Sequence, residues 1–283
     1  MRSLICNQCG KEFPVTYVQI GNICLCEFCW KKLYPYCHSC GRKFTLDMPV
    51  YYYSNAEHQM FAYCEGCSHH DTCCTCNLPI PTGHKKIHDK DIFCSECFTA
   101  LLNFSTNNLM DCWKNVCFFF EDKFHFTCRS PIPEILSKRK LAQAAGHSMP
   151  NQEAGLYKSS YIKKIGLFNL FSPQLSFNGC QIYLLRGLSI EHSEEVLAHE
   201  VGHDFLDSFF PLFENKLLSE GFSQYIASEY NLYYGRTLRN KSIFDNPDPI
   251  YGDGARLMRD WAMQYNGVTG ILKCLEKIYN GKS

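Results

Sequence analysis

Apolar and polar positions follow a helical period most clearly in the C-terminal half of the chain. Val196, Leu197, Val201, Phe205 and Leu206 recur about every four residues, the spacing of one helix face. The pattern predicts a helix starting near Ser193-Glu194-Glu195, with Ser193 as N-cap and two acids at the positive end of the helix dipole. It runs to about Phe209, with Pro211 just beyond. A second helix is predicted from Lys216 to Tyr234, stopped by Gly235, a third from Asp253-Gly254 to Tyr265, and a fourth over 268–279. Gln181-Ile182-Tyr183-Leu184-Leu185, after Gly179, reads as a short strand. Residues 98–128 are apolar and aromatic and read as mainly helical. Residues 129–160 hold Pro131, Pro133, Gly146, Pro150 and Gly155, and read as a connecting segment that wraps rather than packs.

Cysteine organises the first 97 residues. Of 19 cysteines, all but two precede residue 129. Six Cys-x-x-Cys pairs form three sets: Cys6, Cys9, Cys26 and Cys29; Cys37, Cys40, Cys64 and Cys67; Cys73, Cys76, Cys94 and Cys97. The sets begin at residues 6, 37 and 73 and approximate an internal repeat. A Cys-x-x-Cys turn presents two sulfurs to one side of a zinc ion, and a second turn completes the tetrahedron. Knuckle turns follow the first pairs, as in Cys9-Gly10-Lys11 and Cys40-Gly41-Arg42, and a helix-like stretch, Phe98 to Leu102, follows the last pair. The layout is treble-clef-like, and filled four-thiolate shells make about three structural zinc sites. Cys24 is an alternative to Cys26 and Cys74 to Cys73, while His58, His69 or His70 are alternatives near the second set. Cys24, Cys74, Cys112, Cys117, Cys128, Cys180 and Cys274 are left over and read as free thiols.

Composition narrows the function classes. The chain of 283 residues carries 28 Lys+Arg against 28 Asp+Glu. A duplex-binding protein needs a basic excess, so nucleic acid is not the expected partner, although Lys85-Lys86 and Lys138-Arg139-Lys140 are local basic runs that read as solvated. No apolar run reaches the ~18 residues of a membrane span. The N-terminus turns polar too early for a signal peptide, so abundant cysteine suggests metal binding in a reducing, cytoplasmic setting.

His199-Glu200-Val201-Gly202-His203 is the informative segment. On a helix, residues four apart share a face, so both imidazoles can hold one metal while Glu200 stands beside it as a general base. A catalytic zinc takes a third protein ligand and keeps one position open. Glu220, in Leu217-Leu218-Ser219-Glu220-Gly221, is the candidate third ligand if the two helices pack antiparallel, with Gly221 allowing close approach. The competing reading is a solvated helix with two surface histidines. Tyr251, Tyr225 and His192 are candidate donors to a developing oxyanion. Gln224 is a candidate for orienting a ligand histidine. Asp253 reads equally as an N-cap or a site residue, and Arg256 as an ion-pair partner. Strand 181–185, as an edge, could pair with an extended peptide.

With these residues the chain resembles the gluzincin metallopeptidases, and Leu-x-Glu-Gly-Phe-x-x-Tyr from Leu218 looks like the third-ligand helix of zinc aminopeptidases. More of the chain is similar to the ubiquitin-linked LIM-peptidase family that restrains organ growth in plants. The likeness rests on cysteine-rich fingers ahead of Leu197-Ala198-His199-Glu200-x-x-His203, then Glu220-Gly221-x-x-Gln224 and Tyr251-Gly252-Asp253-Gly254-x-Arg256. The doubled Cys73-Cys74-Thr75-Cys76 and His147-x-Met149-Pro150 add to it. Residues 6–29 resemble only the second half of a LIM domain, and several members carry His where Cys67 stands. The resemblance implies an α+β chain: tandem treble-clef, LIM-like fingers, then a mainly helical gluzincin-type peptidase domain with a small β-sheet. The expected boundaries are a four-cysteine zinc finger at 1–34, a LIM-like finger pair at 35–104, and a peptidase domain at 105–283, whose core is 181–283. It further implies one catalytic zinc on His199, His203 and Glu220, action on protein substrates, and ubiquitin or ubiquitinated regulators as partners, while peptide pairing on strand 181–185 favours endopeptidase over aminopeptidase action. The alternative is a LIM-type interaction scaffold with a silent zincin domain.

Overall fold

A computed structural model describes residues 4–6, 9–13, 17–20, 23–26, 29, 32, 35–45, 48–54, 60–81, 83–148, 153–164 and 174–281. Helix and sheet are mixed, and the sheets are small. The cysteine-rich part consists of two-stranded antiparallel ribbons. These are β1 (Leu4–Ile5) with β2 (Glu12–Phe13), β3 (Tyr17–Ile20) with β4 (Ile23–Cys26), β5 (Val50–Ser54) with β6 (Met60–Cys64), and β7 (Lys86–His88) with β8 (Asp91–Phe93). Helix α1 (Glu65–Ser68) follows Cys64, and α2 (Ser95–Asn103) follows Cys94. Such ribbons bury little apolar surface. In the third finger, Cys73, Ile80 and Phe93 form the buried core.

A much larger core occupies the rest of the chain. Helix α3 (Thr106–Phe124) opens with a capping box, in which Asn108 N–H donates to Ser105 Oγ and Ser105 N–H donates to Asn108 Oδ1. It buries Leu109, Cys112, Trp113, Val116, Phe119 and Phe120, one face of the helix. Strand β9 (Glu134–Leu136) and helix α4 (Lys138–Ala144) follow, then β10 (Gly155–Lys164) and β11 (Gln174–Leu185). The segment expected to wrap instead contributes Leu141 and Ala142 to the interior, and Lys138, expected in a solvated loop, reaches Asn77 of the third finger at 2.6 Å.

The sheet order is β10-β11-β9, with β10 antiparallel and β9 parallel to β11. This corrects one expectation. Tyr183 and Leu184 pair with Leu156 and Gly155 of β10 on one side, and residues 183–185 pair with 134–136 on the other, so residues 183–185 present no free edge, whereas Gln181 and Ile182 are paired on the β10 side alone. Among the described residues, no strand pairs with the outer side of β10 or with the far side of β11 before Tyr183.

Five helices complete the domain, the first of them carrying the histidines. These are α5 (Ile190–Phe209), α6 (Lys216–Tyr233), α7 (Thr237–Asp245), α8 (Tyr251–Tyr265) and α9 (Gly267–Asn280). Helix α5 begins one turn earlier than expected. Its N-cap is Ser189, whose Oγ accepts from His192 N–H, and Ser193 is buried inside the first turns. Asn215 caps α6 through Leu218 N–H, and Gly235, at φ +71°, follows its end. Helix α8 also starts earlier than expected. Asp248 Oδ1 accepts from Ile250 and Tyr251 N–H there, while Asp253 sits in the first turn paired with Arg256. Arg256 also donates to Phe244 and Asn246 carbonyls, tying α8 to the end of α7.

Two polar clamps hold the parts in place. Arg129 donates from its backbone and Nε to Asp204, which is fully buried on α5, and from Nη2 to Asp207. Tyr157 and Tyr161 on β10 donate to the same aspartates, so the edge strand is fastened to α5. At the end of β11, Arg186 reaches Asp91 at 2.8 Å and Asp89 at 2.9 Å in the third finger, and Thr75 Oγ1 donates to its carbonyl. Gly187 fits against that finger because a Cβ there would stand 2.8 Å from Thr75 Oγ1. No described helix is long and apolar enough to cross a membrane.

Candidate active site

Four groups of potential metal ligands gather among the described residues. Three are the expected cysteine sets. Cys9 and Cys26 sulfurs lie 3.8 Å apart, Cys40 and Cys64 3.8 Å, and Cys76 and Cys94 3.9 Å. With ~2.3 Å metal–sulfur bonds, the edge of a tetrahedral shell is about 3.8 Å. The sulfurs therefore stand where a metal would hold them, and the donor set is compatible with zinc. Backbone N–H groups point at these sulfurs, from Cys26 to Cys6, Cys64 to Cys37 and Cys97 to Cys94. Burial raises the Cys37 thiol, but backbone donors from Cys40, Cys64 and Ser39 outweigh it and bring it down to about 7. Cys74 is outside the set, its sulfur beside Thr75. The His58 and Cys24 side chains, and Met149 and Pro150, lie outside the described residues. Neither His69 nor His70 joins the second group.

The fourth group is His199, His203 and Glu220. His203 Nε2 is 3.1 Å from His199 Nε2, and Glu220 Oε2 is 3.2 Å and 3.4 Å from the two imidazoles. A tetrahedral shell with ~2.0–2.1 Å bonds to N and O has edges of about 3.3–3.4 Å. The three side chains are between 13% and 17% exposed, so the group is largely buried and not on a solvated helix face.

Helix packing brings them together. The two histidines share one face of α5, and α6 returns antiparallel after the turn at Pro211. The helices approach closely at Gly202, where a Cβ would stand 3.0 Å from Ser223 Cα. Gly221, expected to make that approach, instead contacts α8: a Cβ there would lie 2.5 Å from Gly254 C. This crossing lays the start of α8 beside Glu220 and carries Tyr251 to the site. Its ring centroid is 6.2 Å from that of His199.

The two carboxylates are driven apart. Glu200 is 6% exposed, and burial raises its pKa above the usual carboxylate range. For Glu220 burial acts in the same direction, but hydrogen bonds from His199 and His203 outweigh it and hold the carboxylate ionised. One carboxylate is thus suited to exchanging a proton and the other to ligating a cation. Burial, followed by the charges of Glu220 and Glu200, raises Tyr251 far enough to keep it a neutral donor.

The other candidates fall elsewhere. Tyr225 is buried with Glu229 as its electrostatic neighbour. His192 lies two turns before His199, roughly 10 Å along the helix axis. Gln224 is half-buried on α6, and no described hydrogen bond joins it to either histidine. The residue that does meet a ligand histidine is Ser219, whose Oγ is 3.2 Å from His203 Nδ1. Its place directly before Glu220 was the available signal, but only the helix crossing angle decides which neighbour of a ligand faces the other helix.

Comparisons with protein-family models, curated proteins and solved structures found no match to this chain.

Proposed function

We propose that the chain is a zinc metallopeptidase of gluzincin type that cleaves protein substrates, with its LIM-like fingers serving substrate or partner binding. The observation that carries this reading is the convergence of His199 Nε2, His203 Nε2 and Glu220 Oε2 at 3.1–3.4 Å beside the buried Glu200. Three donors leave one position of a tetrahedron open, as catalytic sites require. Zinc held there would supply a Lewis acid that polarises a carbonyl oxygen and makes water a better nucleophile. Glu200 accepts the proton of the attacking water and returns it to the departing amine, a task its raised pKa suits. The Tyr251 phenol donates to the oxygen that gains charge. The free edge of β10 aligns an extended peptide by main-chain hydrogen bonds, which favours endopeptidase action. By the family resemblance, the regulatory partners are ubiquitin or ubiquitinated proteins, and the many thiolate ligands fit a reducing, cytoplasmic setting.

Cleavage-site profiling in a cell lysate tests the reading. Wild type should generate new peptide termini that Glu200→Gln does not. Identical profiles would put the silent interaction scaffold in its place. Metal analysis of the purified protein should return four zinc equivalents, three in the cysteine sets and one in the fourth group.

A further inference from the structure

Strand β10 passes directly over Glu200. A Cβ built on Gly155 would stand 2.5 Å from Glu200 Oε1, 2.9 Å from Glu200 Cγ and 2.6 Å from Val196 Cγ1. Contacts that short do not occur between real atoms. The glycine is not needed for backbone freedom, since Gly155 pairs regularly with Leu184 and does not have positive φ. Glycine inside a strand weakens it, and a common reason to keep one is the close approach of another group. Here that group is the carboxylate assigned as general base.

We propose that Gly155 is a positioning residue for Glu200: its missing side chain leaves the space in which the carboxylate lies, so that the edge strand seats the base. This rests on the metallopeptidase reading above. Residues 155 and 157 point to the same face of β10. The Tyr157 side chain on that face reaches Asp204 and Asp207 of the same helix, so the strand that makes room for the base is itself held against α5. Neither backbone can yield. Helix α5 is packed in the main core, and β10 is held by the β11 ladder and by the Tyr157 and Tyr161 hydroxyls on Asp204 and Asp207. Val196 is β-branched on a helix and is held to few rotamers. The atoms left to move are Val196 Cγ1, by a change of rotamer, and the Glu200 side chain from Cγ outward, which carries the carboxylate with it. A methyl group at position 155 therefore displaces the base and leaves the three metal ligands where they are.

The experiment measures kcat, KM and zinc content for wild type, Gly155→Ala, Glu200→Asp and the double variant, with Glu200→Gln as the inactive reference. Gly155→Ala should keep zinc and KM within about twofold of wild type and lose kcat roughly 10- to 100-fold, the scale of a misplacement near 1 Å. Aspartate is one methylene shorter, so in the Glu200→Asp background Gly155→Ala should cost less than about twofold, a non-additive cycle. Wild-type kcat in Gly155→Ala overturns the proposal, as does an equal loss in both backgrounds. If Gly155→Ala fails to fold, the same change is made in a Val196→Ala/Glu200→Ala chain, where the space is open. A cooperative melt there at the parent's temperature supports the proposal, and failure to fold there overturns it. A wild type no more active than Glu200→Gln is a different result, and it removes the metallopeptidase reading itself.

Discussion

In the third finger Cys73 and Cys94 are 21 residues apart, and so are His199 and Glu220 in the helix pair. The two loops are equal in length, yet they close in different ways. The cysteines sit on short turns joined by a ribbon, and all four donors come from two Cys-x-x-Cys segments that enclose the metal position. The histidines and Glu220 sit on two long helices, and their meeting depends on Gly202 lying against Ser223. The first arrangement leaves no open position. The second leaves one, bordered by Glu200 and Tyr251. Under the proposed reading, a zinc in the closed set would be structural and one in the open set would keep a side free for chemistry.

Four changes should break or sharpen this contrast. Glu200→Gln touches only the open side, and it should lower cleavage by about 10²–10⁴-fold while zinc content stays at the wild-type value. Cys73→Ser opens a closed shell. It should remove one zinc equivalent and, because Arg186 fastens this finger to β11, lower the stability of the whole C-terminal domain, by about 4 kcal/mol where zinc stands at 1,000 times its Kd. A calorimetric melt in which that domain unfolds at the wild-type temperature would separate the finger from the fold. Arg186→Ala leaves both metal sites intact and removes the clamp to Asp91. It should cost about 1–3 kcal/mol and expose residues 73–97 to protease before the helices. Ser219→Ala should weaken zinc at the open site by about 10- to 100-fold in competition with a chelator, with the cysteine sites unaffected. Threonine at 219 should restore most of that affinity, and an alanine variant binding zinc as tightly as wild type would leave Ser219 with packing alone.

The sequence showed the ligand groups clearly because each is written in short spacings. Two residues between cysteines and three between histidines fix which side chains share a turn or a helix face. Helix ends were less legible. Ser193 and Ser189 are both acceptable N-caps, and the choice went to the one whose helix buries Ser193 and Glu194 against α3. The strand at 181–185 could be recognised by its residues, but not its neighbours, since pairing partners 29 and 49 residues away leave no local mark. Gln224 and Tyr225, one turn beyond Glu220, were the candidates the sequence offered, and Ser219 was not among them. The angle between α5 and α6 turned Ser219 toward His203, while Tyr225 lies beside Glu229 one turn along its own helix.

By itself, then, the sequence determined the chemistry available: three four-thiolate sets, a His–Glu–His helix face, a second glutamate on the next helix, and too little positive charge for a duplex. Those properties follow from residue identity and from periods of a few residues. Tertiary structure decided what that chemistry faces. It paired residues 183–185 on both sides and set β10 at the outer end of the strand order, brought Tyr251 to the site through the Gly221–Gly254 crossing, bolted the third finger to the helical domain through Arg186, and laid Gly155 over Glu200. Each of these depends on a contact between segments tens of residues apart, where packing of whole elements and not local spacing sets the distance.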